Sequence, residues 1–89
     1  MLRKKVKVKV ENGLHLRVAN RFVQITNQHP GEVTVIKGDA VANGKSILSL
    51  VILCAQKGDT LILEIHGKNE QEEKALLDEL VAVLHGKIS

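Results

Sequence analysis

Val6, Val8 and Val10 alternate with Lys5, Lys7 and Lys9, and a strict two-residue period is the mark of a half-buried strand, predicted over Lys5 to Val10. Asn12-Gly13 then supplies a turn. From Leu16 to Asn27 the period changes. Ala19, Phe22, Val23 and Thr26 share one face at helical spacing, flanked by Val18 and Ile25, and His29-Pro30-Gly31 ends the helix. Glu32 to Lys37 reads as a second strand, Gly38-Asp39 as a tight hairpin turn and Ala40 to Ala42 as a short third strand.

Asn43-Gly44-Lys45-Ser46 leads into a helix from Ile47 to Cys54 or Ala55, with Ser46 as its N-cap, and Lys57-Gly58-Asp59 closes it. Thr60 to His66 is a fourth strand with Leu61, Leu63 and Ile65 on one face. After a turn at Gly67-Lys68, Asn69 opens a long helix with Glu72 three residues on, a capping-box spacing. Leu77, Leu80, Val81 and Leu84 form its buried stripe, and residues from Gly86 to Ser89 are expected to fray. The order β-α-β-β-α-β-α with short connections implies an α+β sandwich, an antiparallel sheet with helices on one face.

Composition narrows the picture. The chain has 89 residues, enough for one domain with a thin core. Cys54 is alone inside the run VILCA, which reads as a reduced core residue and rules out a disulfide scaffold. The longest apolar run, Ile47 to Ala55, is about half the roughly 20 residues a membrane helix needs. The alternating start lacks the continuous apolar region of a signal peptide, so a cytoplasmic protein without membrane insertion is expected. The net charge is +3, and Arg3, Lys4, Lys5, Lys7 and Lys9 crowd at the start. That row reads as the solvated face of an edge strand, where charge discourages pairing with other chains. With Phe22 as the only aromatic, the stacking platforms of a single-strand nucleic-acid binder are missing.

The chemistry concentrates at the start of the first helix. No Ser, Thr, Asp or Asn stands directly before Leu16, so the free N–H groups of the first turn form an anion site. Arg17 adds a permanent charge in a fork that fits phosphate. The positive helix end favours the neutral, nucleophilic ring of His15 over imidazolium. Spacing alone leaves a surface histidine as the simpler account. His29, His66 and His85 follow no metal spacing and read as surface residues. Glu70, Glu72 and Glu73 complement the dipole of the last helix, and NGKS lacks the upstream glycine spacing of a P-loop. No cofactor or metal is expected.

The stretch NGLHLR, the loop NGKS and the element order resemble the histidine-containing phosphocarrier protein family, HPr, of the bacterial phosphoenolpyruvate-dependent sugar phosphotransferase system. The family pattern G-L-H-A-R-P-A stands here as G-L-H-L-R-V-A, and the Lys-Ser pair before an apolar helix stands as Lys45-Ser46-Ile47-Leu48. The resemblance spans almost the whole chain and implies a single domain over 1–89. It implies an open-faced β-sandwich, a four-stranded antiparallel sheet covered by three helices. It implies a carrier and not an enzyme. His15 would accept a phosphoryl group on Nδ1 from phosphorylated enzyme I and yield it to a histidine of a sugar-specific IIA protein. Arg17 would steady the group.

The same resemblance makes Ser46 a candidate regulatory acceptor, since in many bacteria HPr kinase/phosphorylase modifies the matching serine. It places Leu16, Asn20, Arg21, Gln24, Ile47, Leu48 and Val51 on the partner-docking face, with core burial a competing reading for Ile47. A monomer is expected, because a carrier must show one face to successive partners. Two positions depart from the pattern. Val18 replaces a proline and restores a backbone donor, and Leu16 puts a large apolar group beside the site. The alternatives are a regulatory relative in an incomplete phosphotransferase system and a small binding module without phosphoryl chemistry.

Overall fold

The computed structural model describes residues 1–87. Strand β1 (Leu2–Lys7), helix α1 (Leu16–Thr26), strands β2 (Val33–Lys37) and β3 (Ala40–Asn43), helix α2 (Ile47–Ile52), strand β4 (Thr60–Ile65) and helix α3 (Glu70–Leu84) follow in that order. The four strands form one sheet in the order β1-β4-β2-β3, antiparallel throughout. This is the expected open-faced sandwich.

Alternation decides which face is covered. Val6, Leu61, Leu63, Ile65, Val33, Val35 and Ala42 point into the core, where Phe22, Leu50, Leu80 and Leu84 from the three helices meet them. Helix α1 packs between α2 and α3, and α3 lies over β1 and β4. The uncovered face carries Lys5, Ile62, Ile36 and Val41 in one cross-strand register.

β1 begins and ends earlier than its Val alternation suggests. Its early residues stay paired because Leu2 to Lys4 run beside Leu63 to Ile65, with an Arg3–Glu64 ion pair across the two strands. It ends at Lys7 because the amides of Lys9 and Val10 both turn to the Leu84 carbonyl at the end of α3. Val8 is nonetheless fully buried, as the pattern required.

α2 is shorter than expected. It stops at Ile52, with Leu53 buried as the C-cap and Cys54 in a left-handed conformation at φ 53°. Lys37 Nζ satisfies the Leu53 and Cys54 carbonyls at 3.3 and 3.1 Å, which removes the need for further helical turns. Cys54 is therefore exposed, not a core residue.

Two expectations about α3 change as well. Glu73 is buried and accepts the Gly67 N–H at 2.8 Å, so it is a structural clasp and not only a dipole partner. Gly86 and Lys87 do not fray. Their amides bond to the Val83 and Ala82 carbonyls, a Schellman closure that needs the positive φ of Gly86 at 79°. Ile88 and Ser89, the rest of the expected frayed end, lie outside the described residues. Val81 is half-buried, while Leu76 and Val83 join the buried stripe.

Candidate functional site: the start of the first helix

The segment before α1 is held by backbone contacts and by the buried Leu14 side chain. Asn12 and Gly13 both adopt positive φ, 64° and 70°. A Cβ on Gly13 would sit 2.3 Å from the Ala55 carbonyl oxygen, so only glycine fits this approach. Leu14 then buries its side chain and donates its N–H to the same Ala55 carbonyl at 2.8 Å. These contacts tie the loop to the α2–β4 connection and leave His15 half-exposed beyond it.

His15 is itself the N-cap of α1. Its backbone is extended, its carbonyl accepts the Ala19 N–H at 2.8 Å, and its Nδ1 accepts the Arg17 N–H at 3.3 Å. The cap position that the sequence left vacant is thus filled by the imidazole. The bond is at the long end of the range. Among the described residues, the amides of Leu16 and Val18 have no protein acceptor. An Nδ1 that accepts a hydrogen bond carries no proton, so the neutral ring holds its hydrogen on Nε2 and keeps a lone pair on Nδ1.

Two hollows flank the imidazole. One, of about 250 Å³, is lined by His15, Arg17, Val18 and Arg21 from the helix side and by Val10, Glu11, Asn12 and Gly86 from the loop and the end of α3. The other, of about 240 Å³, lies toward α2 and is bordered by Val51, Cys54 and Gln56. Sequence reasoning placed His15, Arg17, Arg21 and Val51 around this point. It did not name the walls formed by Val10 and Asn12, a few residues before the histidine, or by Gly86, which the fold brings from the far end of the chain. The four-residue step between Arg17 and Arg21 was available and puts both on one helix face.

The remaining candidates spread around the site. Leu16 and Leu48 are 65% and 69% exposed, and Ile52, which the sequence reading did not single out, is 67% exposed. Asn20 and Gln24 are exposed on α1, with Gln24 Oε1 accepting from Arg21 at 3.5 Å. Ile47 and Val51 are half-buried and pack against the core, so Ile47 is shared between the two readings considered for it. Ser46 lies in neither hollow. It caps α2, its Oγ accepting the Ser49 N–H at 3.2 Å. His66 is exposed, whereas His29 and His85 are half-buried, His29 between Glu72 and Glu79. Burial, with Lys9 and Lys87 nearby, pulls the His85 pKa below the usual histidine value.

No helix among the described residues is long and apolar enough to cross a membrane. Residues 2–85 match the family model described as the PTS HPr component phosphorylation site. The phosphocarrier protein HPr of Neisseria meningitidis serogroup A is 40% identical over 81 residues, 91% of each chain. The HPr-like protein Crh of Halalkalibacterium halodurans is 39% identical over 72 residues, 81% of this chain and 86% of that one. The crystal structure of an HPr from Thermoanaerobacter tengcongensis superposes with a TM-score of 0.83 at 29% identity, covering 97% of both chains. The fold, the histidine at the helix start and these similarities agree: the chain belongs to the HPr family of the phosphotransferase system, whose members are phosphoryl carriers and not enzymes.

Proposed function

We propose that this protein, one carrier domain over residues 1–89, accepts a phosphoryl group on His15 Nδ1 from phosphorylated enzyme I. It passes the group to a histidine of a sugar-specific IIA protein, working in the cytoplasm as a monomer. The observation that carries this reading is the single hydrogen bond from the Arg17 amide to His15 Nδ1. It marks the nitrogen with the lone pair and turns that lone pair toward the helix start. In the transfer, the Nδ1 lone pair forms the new N–P bond. The bond between phosphorus and the donor breaks, and its electron pair leaves with the donor. The Arg17 amide, freed from Nδ1, then has a phosphoryl oxygen to bond. The amides of Leu16 and Val18 supply further donors, and the Arg17 guanidinium offsets the charge. Return of the group to an acceptor histidine runs the same steps in reverse.

Leu16, Asn20, Arg21, Gln24, Ile47, Leu48 and Val51 form the docking face in this reading, and Ile52 extends it. Large exposed apolar side chains with polar neighbours suit a transient interface. Ser46 is a second acceptor, for HPr kinase/phosphorylase, in addition to its capping role. A phosphate at a helix start is electrostatically tolerated, so the modification would change the docking face without unfolding α2. A regulatory role without sugar transport is the second reading, favoured by the 39% identity to an HPr-like protein Crh.

The test is intact mass after incubation with phosphoenolpyruvate, magnesium and enzyme I, beside His15→Ala. One acid-labile phosphoryl group on the wild type alone, discharged by a IIA protein, is expected. No addition with enzyme I from the same organism would refute the carrier reading. Retention of the group in the presence of every IIA protein of that organism would favour regulation.

A further inference from the structure

Arg21 is placed differently from the other polar residues of the docking face. It stands one helical turn beyond Arg17 and lines the same 250 Å³ hollow as His15. Its Nε is buried and has no hydrogen-bond partner among the described residues. Among the described residues its only polar contact is the stretched 3.5 Å one from Nη1 to Gln24 Oε1. A guanidinium has five donors in a fixed fork, and a buried donor left unpaired is costly. Arg21 therefore lines the hollow that His15 also lines, with donors unused.

The hollow also suits what would fill it. Its volume equals several waters at about 30 Å³ each, room for a phosphoryl group and some hydration. A phosphoryl group carries roughly two negative charges near neutral pH. Arg17 offsets one of them. The carboxylate of Glu11, on the rim, would oppose the group, although Lys57 pairs with it. A second cation lining the hollow balances the remainder. We propose that Arg21 is a second phosphoryl-binding residue, which bonds the group on His15 together with Arg17 and so stabilises the phosphorylated carrier. This rests on His15 being the acceptor.

The role is distinguishable from docking by thermodynamics. A residue that contacts only the partner changes the rates of transfer in both directions and leaves the equilibrium between the two phosphorylated proteins unaltered. A residue that binds the phosphoryl group changes that equilibrium. The experiment measures the equilibrium constant for transfer between phosphorylated enzyme I and the carrier for wild type, Arg21→Lys and Arg21→Gln. Alongside it, the arginine Nε–H resonances of the wild type are recorded before and after phosphorylation.

We expect the constant to fall about three- to ten-fold in Arg21→Gln and less in Arg21→Lys, which keeps the charge. The Arg21 Nε–H resonance should shift when the wild type is phosphorylated, a readout that needs no variant to fold. An unchanged constant with an unmoved resonance overturns the proposal and leaves Arg21 as a docking residue. A wild type that takes up no phosphoryl group removes the acceptor reading and this inference with it. That outcome is told apart because it appears before any variant is compared.

Discussion

The starts of α1 and α3 have the same backbone problem and opposite solutions. At α3, Asn69 Oδ1 accepts the Glu72 N–H at 2.8 Å, and Glu70, Glu72 and Glu73 bring negative charge into the first turn. The dipole is answered from within the chain and the Glu72 donor by a short bond, while the amides of Glu70 and Gln71, like those of Leu16 and Val18 at α1, have no protein acceptor among the described residues. At α1 the cap is an imidazole at 3.3 Å, the first turn has no acidic residue, and Arg17 adds positive charge. The first arrangement serves stability alone. The second leaves a long cap bond and uncompensated positive charge, where an anion would supply what the glutamates supply in α3. In the proposed function, that uncompensated charge is what the phosphoryl group on His15 would answer.

Replacing the cap at α1 should break the comparison most strongly. His15→Asn puts a strong capping side chain on a backbone already extended at φ −82°. Phosphoryl uptake should vanish, measured by intact mass with enzyme I. Stability to urea should rise by roughly 0.5 kcal/mol or more, because Asn is among the preferred caps. A less stable variant would mean that the imidazole is already a good cap, and that the start of α1 holds nothing in reserve.

The same change at α3 should have the reverse character. Asn69→Ala removes a short cap bond and should cost about 1 kcal/mol in unfolding experiments. It should leave phosphoryl uptake by His15 intact, since no residue from the start of α3 lines either hollow beside the imidazole. Loss of uptake would show that the two helix starts are coupled through the packing of α1 on α3.

The contrast was only partly legible in the sequence. Asn69 is a local signal and held as the cap, as did Ser46, but the reciprocal half of the capping box did not form: the Glu72 carboxylate faces His29. The helical face of α1 and the alternation of β4 also read correctly, because periodicity reports burial directly. The cap of α1 was misread as vacant, since capping rules favour hydroxyl, amide and carboxylate side chains and the imidazole nitrogen was not considered. The length of α2 depended on Lys37 reaching the carbonyls of Leu53 and Cys54 from another strand, which no local pattern contains. The hollow beside His15 draws Gly86 from the far end of the chain to Val10 and Asn12. Gly86 itself follows the periodic run of α3 as a C-terminal glycine should, and its closing role could have been read there.

The smallest expected effect is one of pH. Glu73 accepts the Gly67 N–H, and this hydrogen bond, helped by the Met1 ammonium at 3.4 Å and by His66, holds its pKa below the usual carboxylate value despite burial. Unfolded chains bind a proton at this residue near the ordinary value of about 4.3, and the folded chain resists it to lower pH. The stabilisation is therefore complete above the ordinary value and disappears as pH falls through the folded one. Asp59 acts in the same direction, because the Gln56 N–H and Lys37 lower its pKa. His85 departs from its usual value in the same sense but loses stability in a higher window, as pH falls below the ordinary histidine range. Glu73→Gln should thus be less stable than wild type at pH 7, with a gap that narrows as pH drops below the ordinary glutamate value. Urea unfolding of both proteins at a series of pH values measures it. The start of α1 has no carboxylate in its first turn and should contribute nothing to this acid limb. A gap that stays constant with pH would make Glu73 a packing residue. The start of α3 would then owe its satisfaction to the Asn69 cap and not to charge.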